Sequence, residues 1–215
     1  MFSCLFTFEE QASLSLTTQG ATKIYKTLKD CVKQYQTFDL GADTYFEYVA
    51  DPIIAYKDAD YYQQNIFNLT PTSTMFYTDI LTPGYDSEAK DFSYKQLHLL
   101  NEIYVDKELV LYDNMKLIPH EHEIGDIGFM EGYTHLGSCY FIHPEINQTL
   151  LDDLVEMIKG EDRDIRFGIS MMTINGFTLR ILGNRTYDIE HILLKVQQYI
   201  NDQHYQRPVP FLRKY

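Results

Sequence analysis

The residues with the plainest capacity for chemistry follow Pro119: His120-Glu121-His122-Glu123, with His135, Cys139 and His143 downstream. On a strand, alternate side chains share a face, so His120 and His122 would point the same way and suit a divalent cation. Some metal-dependent β-barrel enzymes use this H-x-H spacing, with a glutamate three or four residues on and a further histidine. Here Asp126 or Ile127 holds the glutamate position, and the glycine expected before the motif is missing. The run therefore reads first as a polar, metal-free loop. A metal-dependent β-barrel enzyme using His120 and His122 is the alternative function. Nucleophilic catalysis has no support: no G-x-S-x-G elbow occurs, and no cysteine–histidine signature. Neither phosphate-binding glycine pattern occurs either.

Lone carboxylates in apolar rows carry more information. Along Leu109–Leu117, one strand face would hold Leu109, Leu111, Asp113, Met115 and Leu117. Burying a charge alone is costly, so Asp113 calls for a cation, a basic side chain or a wet passage beside it. Glu47 lies between Tyr45 and Val49, and Asp79 follows Met75 and Tyr77. In those two strands both faces are partly apolar, and the sequence leaves their orientation open. Each acid is either exposed, or paired with a core arginine such as Arg180, or part of an inward acidic path.

The elements that must position these residues are mostly strands. Tyrosine (18) and phenylalanine (13) are plentiful and tryptophan is absent, a balance that favours strands. Strand-like runs are expected around Ala12–Leu16 and at Gln34–Leu40, Thr44–Val49, Tyr61–Leu69, Ser73–Leu81, Phe92–Val105 and Leu109–Leu117. Turn-forming pieces separate them, at 40–43, 69–73 and 82–86. In the last third, Asn147 is placed to cap a helix carrying Leu150, Leu151, Leu154, Val155 and Ile158, ended by Gly160. A hairpin follows, Arg166–Met172 and Phe177–Leu182 about Asn175-Gly176. A second helix runs from about Asp188, with Ile189, Ile192, Leu193, Val196 and Ile200 on one face. The expected fold is mainly β: two layers of mostly antiparallel sheet, with two helices in the C-terminal third. One domain is expected over 1–215, strand-rich over 1–145, with the helix–hairpin–helix part, 146–215, packed on it.

Composition narrows the function classes. A net charge of −13 repels nucleic acid and anionic membrane, and suits partners with basic patches, or cations. Three cysteines without a C-x-x-C pair argue against a disulfide framework and a thiolate zinc site, and for a reducing, cytoplasmic setting. The first eight residues lack the basic start of a signal peptide, and no stretch has the length and apolarity of a membrane span. A protein that works by binding other proteins fits best.

Several collinear segments resemble the urease accessory protein D family. They are Leu16-Thr17-Thr18-Gln19-Gly20-Ala21-Thr22-Lys23-Ile24-Tyr25, then Phe46-Glu47-Tyr48-Val49-Ala50-Asp51-Pro52-Ile53-Ile54, then Asp79-Ile80-Leu81-Thr82-Pro83-Gly84. Gly176-Phe177-Thr178-Leu179-Arg180-Ile181-Leu182-Gly183 and the ending Pro208–Tyr215 complete the set. Thr18, Gln19, Lys23, Asp51, Pro52 and Arg180 are its motif residues. The resemblance implies a β-rich, non-enzymatic chaperone with two helices. It implies partners, too: apo-urease, an F-type accessory protein and, through the complex, a G-type GTPase that delivers nickel. No tightly bound cofactor is implied. Nickel would pass transiently along a carboxylate-lined path, for which Glu47, Asp79 and Asp113 are the candidates. Members usually carry more chain before the segment matching Ala12. An early sheet edge without its neighbour would expose apolar surface, so self-association of the free chain is expected.

Overall fold

The computed structural model describes residues 1–205 and Val209. The chain winds between two sheets as a coil. Strands β1 (Phe2–Phe8), β4 (Val32–Leu40), β7 (Asp60–Leu69) and β9 (Gln96–Val105) lie parallel in the first sheet, and β10 (Glu108–Leu117) returns antiparallel beside β9. Between successive visits the chain crosses to the second sheet. There β2 (Ser13–Thr17), β5 (Tyr45–Val49) and β8 (Thr74–Leu81) are parallel, with β3 (Thr22–Ile24) and β6 (Ile53–Ala55) pairing above them. Strands β11 (His135–Ile142), β13 (Gly176–Gly183) and β12 (Ile165–Met171) then extend that sheet antiparallel.

The fold is mainly β with two helices, in two layers as expected, but the sheets are mixed. Among the described residues, antiparallel pairing holds only from β9 to β10 and from β8 through β11 to β13 and β12. The cause lies in the turns. Gly41–Thr44 and Thr70–Ser73 are not hairpin turns but corners that carry the chain to the opposite sheet. A strand that returns after such a crossing lies parallel to its predecessor. The corners stack: Gly41 N donates to Phe8 O (3.0 Å), Tyr45 N to Ala12 O (2.9 Å) and Thr74 N to Thr44 O (2.8 Å). A Cβ on Gly41 would stand 2.9 Å from Phe8 O, so the close stacking of these corners needs glycine there.

Asn147 caps α1 (Gln148–Lys159) by accepting from Leu150 N at 3.1 Å, and Gly160 follows its last turn. The Asn175-Gly176 turn joins β12 to β13, with Met172 N donating to Gly176 O at 2.8 Å. This hairpin does not lie over the sheet as a separate layer. It pairs with β11 and becomes the sheet's edge. Helix α2 (Thr186–Ile200) packs Ile189, Ile192, Leu193, Val196 and Ile200 onto the outer face of the second sheet, beside α1. That sheet is covered on both sides, and every residue of β8 is buried. Phe38 centres the core between the sheets, with the rings of Phe6, Phe46, Tyr48 and Phe67 between 4.9 and 5.5 Å away. No helix among the described residues is long and apolar enough to cross a membrane.

Candidate functional site

A polar seam crosses the core between the sheets. In the first sheet, Gln36, Asn65, Asn101 and Asp113 stand in one register row across β4, β7, β9 and β10, with Cys4 next on β1. Facing them, Tyr48, Tyr77 and Tyr140 form a register row across β5, β8 and β11. Their rings succeed one another at 5.4 and 5.7 Å. The two rows are joined by hydrogen bonds. Gln36 bonds Tyr48. Asn65 Nδ2 donates to Tyr77 Oη (3.0 Å) and to Asn101 Oδ1 (2.9 Å). Tyr140 Oη donates to Asp113 Oδ2 at 2.5 Å. Row-wise placement follows from strand alternation: each inward position of one strand meets the inward position of the next.

Asp79 lies on the same face, one inward step from Tyr77. It is only 6% exposed. The Tyr77 and Ser138 side chains hydrogen-bond it, and Asn101 Nδ2 stands 3.4 Å from Oδ2. Burial raises its pKa above the ordinary carboxylate value, and Asp113 adds to the rise. Arg180 and the hydrogen bonds from Ser138 and Tyr77 pull the other way without cancelling it. Burial likewise keeps the Tyr77 and Tyr140 hydroxyls protonated, with Asp79 nearby adding to the effect.

Arg180 closes the seam at the β10 side. Nη2 lies 2.6 Å from Asp113 Oδ1, Nη1 donates to Ser138 Oγ, and Cζ sits 5.4 Å from the Tyr140 ring centroid. The side chains of Arg180 and Asp113 are 33% and 22% exposed, so the pair stands at the boundary with solvent. Asp113 also lines a surface groove of about 330 Å³ with Met115, Phe129, Met130 and Leu136. The basic partner that the sequence calls for beside Asp113 is therefore Arg180. Leu109 leaves the inward row: an irregularity between Leu109 and Leu111 interrupts the β9–β10 register, and Leu109 is half exposed.

The three candidate acids do not form one set. Asp79 and Asp113 share the seam. Glu47 alternates with inward Phe46 and Tyr48, and so points to the opposite, helix-covered face. It is 2% exposed and holds the end of α2 in place. Ser15 Oγ donates to Oε2 at 2.7 Å, Asn201 Nδ2 to Oε1 at 3.1 Å, and the Tyr45 hydroxyl reaches Oε1 as well as Asn201 Oδ1.

The motif residues divide as well. Thr18 and Asp51 lock two loops together, through Thr18 Oγ1 to Asp51 Oδ2 (2.7 Å) and Asp51 N to Thr18 Oγ1 (2.9 Å). The Pro52 carbonyl accepts from Thr22 N, while Gln19 and Lys23 are exposed. Of the ending Pro208–Tyr215, all but Val209 lies outside the described residues. His120 and His122 sit in turns, not on a strand. His120 is exposed beside Glu121, and His122 stacks on Phe129 at 5.4 Å. Among the described residues, no three His, Cys, Asp or Glu side chains are grouped to hold a metal. The downstream members separate too: His135 begins β11, and Cys139 is buried under α2. The β-barrel metal-enzyme alternative therefore loses its strand.

Sequence reading missed the amides and tyrosines of the seam. A signal existed: Gln63 and Asn65 interrupt the inward row Tyr61–Leu69 of β7, as Gln36 interrupts that of β4.

Comparison with known proteins places the chain in a family. The family model described as UreD urease accessory protein matches residues 2–214. A protein named urease accessory protein UreD from Staphylococcus epidermidis is 54% identical over 209 residues, 96% of this chain and 75% of its own length. The protein of that name from Staphylococcus saprophyticus is 54% identical over 212 residues, covering 98% and 76%. That from Staphylococcus aureus strain JH9 is 52% identical over 209 residues, covering 96% and 75%. These relatives are accessory to an enzyme and are not enzymes themselves. The chain belongs to the UreD family of urease accessory proteins and is itself no enzyme.

Proposed function

We propose that this protein acts in the cytoplasm as an assembly chaperone in urease maturation. It binds apo-urease and an F-type accessory protein, recruits a G-type GTPase through that complex, and gives nickel a protected way towards the urease active site. Nickel is the cargo and does not stay. One observation carries this reading: a continuous polar seam, with buried Asp79 inside it and Asp113 at its edge, crosses a core that simple packing would have kept apolar. Buried polar groups cost stability, so such a row calls for a use. Carboxylate, amide and hydroxyl oxygens hold a borderline cation weakly enough to release it. The net charge of −13 attracts both cations and basic partner surfaces.

The test is co-expression with apo-urease and the F-type and G-type proteins. The wild-type chain, Asp79→Asn and Asp113→Asn are expected to co-purify equally in the complex. The variants are expected to lower the nickel content and activity of urease by roughly tenfold, a difference of about 1.4 kcal/mol in a transfer barrier. Equal urease loading by all three chains would remove the seam from the mechanism. Absence of any complex would remove the chaperone assignment.

A further inference from the structure

The geometry points to Arg180 as a tethered cation that closes the seam and must be displaced before a metal ion can pass. This rests on the passage reading above and names how the passage is regulated. Three contacts fix the guanidinium where the cargo would sit. It is 2.6 Å from Asp113, it donates to Ser138 Oγ, and it lies over the Tyr140 ring. Ser138 is the register neighbour of both Asp79 and Arg180, so the arginine that pairs with Asp113 is one strand removed from Asp79, and both carboxylates act on its charge. While it is there, its charge offsets that of one carboxylate, Asp113, and a divalent cation meets a like charge at the entrance.

Two further features fit a gate better than a fixed brace. Arg180 and Asp113 lie at the solvent boundary, next to the groove lined by Met115, Phe129 and Met130, so the long side chain has somewhere to swing. Deeper in, Asn65 is fully buried, and its Oδ1 has no hydrogen-bond partner. That oxygen belongs to the amide joined to Asp79 through Tyr77, and it is an unused acceptor of the kind a passing hydrated cation would fill.

The experiment is titration of the chain with Ni²⁺ alone, by calorimetry near neutral pH, with circular dichroism to verify folding. Arg180→Gln keeps a donor for Ser138 and removes the charge. It is expected to bind nickel roughly tenfold or more tightly than wild type. The triple change Arg180→Gln, Asp79→Asn, Asp113→Asn is expected to abolish that gain. Ser138→Ala, which removes the guanidinium's hydrogen bond and one of those to Asp79 while leaving both carboxylates in place, is expected to shift affinity the same way by a smaller factor. It decides the matter if Arg180→Gln does not fold. Folded Arg180→Gln or Ser138→Ala chains no tighter than wild type would overturn the gate, as would a gain that survives loss of both acids. Such a result would leave the passage itself standing, since urease loading by Asp79→Asn and Asp113→Asn decides that separately.

Discussion

Asp79→Asn should make the protein more stable while making it a poorer passage. The carboxylate is buried, and its pKa is raised from the ordinary 3.8, mainly by lost hydration. A raised acid pKa in the folded state means that folding favours the protonated form. Below about pH 4 both states are protonated and Asp79 costs nothing. As pH climbs from there to the folded pKa the penalty grows, and above it the penalty is constant. Asparagine has the same shape and no charge, so the difference between variant and wild type should be near zero in acid and greatest at neutral pH. Arg180 offsets part of the penalty. The neutral-pH gain should therefore fall at the low end of what replacing buried charges yields, about 1–2 kcal/mol. With a urea slope of about 3 kcal/mol/M, the midpoint would rise by roughly 0.3–0.7 M. The assay is urea denaturation followed by tyrosine fluorescence at several pH values. A lower midpoint for Asp79→Asn at neutral pH, or a gap of the same size around pH 4 and pH 8, would refute the reasoning.

Other expectations separate packing from transport. Phe38→Ala empties the centre of the aromatic cluster and should cost about 3–5 kcal/mol in chemical denaturation. Glu47→Ala takes the carboxylate acceptor from the Ser15 and Asn201 donors, for a loss of about 1–3 kcal/mol. Hydrogen exchange should then rise at the end of α2, whereas nickel loading of urease should stay near wild type, unlike with Asp79→Asn. The double change His120→Ala, His122→Ala should leave nickel affinity, measured by equilibrium dialysis, where it was, because the two side chains share no strand face.

Local patterns in the sequence determined a good deal. The Asn147 cap, the Gly160 stop and the Asn175-Gly176 turn act through neighbours a few residues away, and α1 and the last hairpin follow from them, while α2 was legible from its apolar face. Most long strands were equally legible from their aromatic and β-branched runs. Strand β1, the short strands β3 and β6, and β11 within the histidine-bearing stretch were not, since their strand character depends on the partners they meet.

What only the tertiary structure decided is where each turn sends the chain and which face each strand turns inward. A corner and a hairpin turn use similar residues, so parallel coiling could not be told from antiparallel return. A one-residue change of phase moves a side chain to the opposite face. That is why Glu47, Asp79 and Asp113 looked alike as lone acids. Glu47 points under α2, while Asp113 meets Arg180 and Asp79 meets Ser138 across strands distant in sequence. The seam is built from one or two polar residues per strand, and no single segment carries enough of it to be read until the strands are placed side by side.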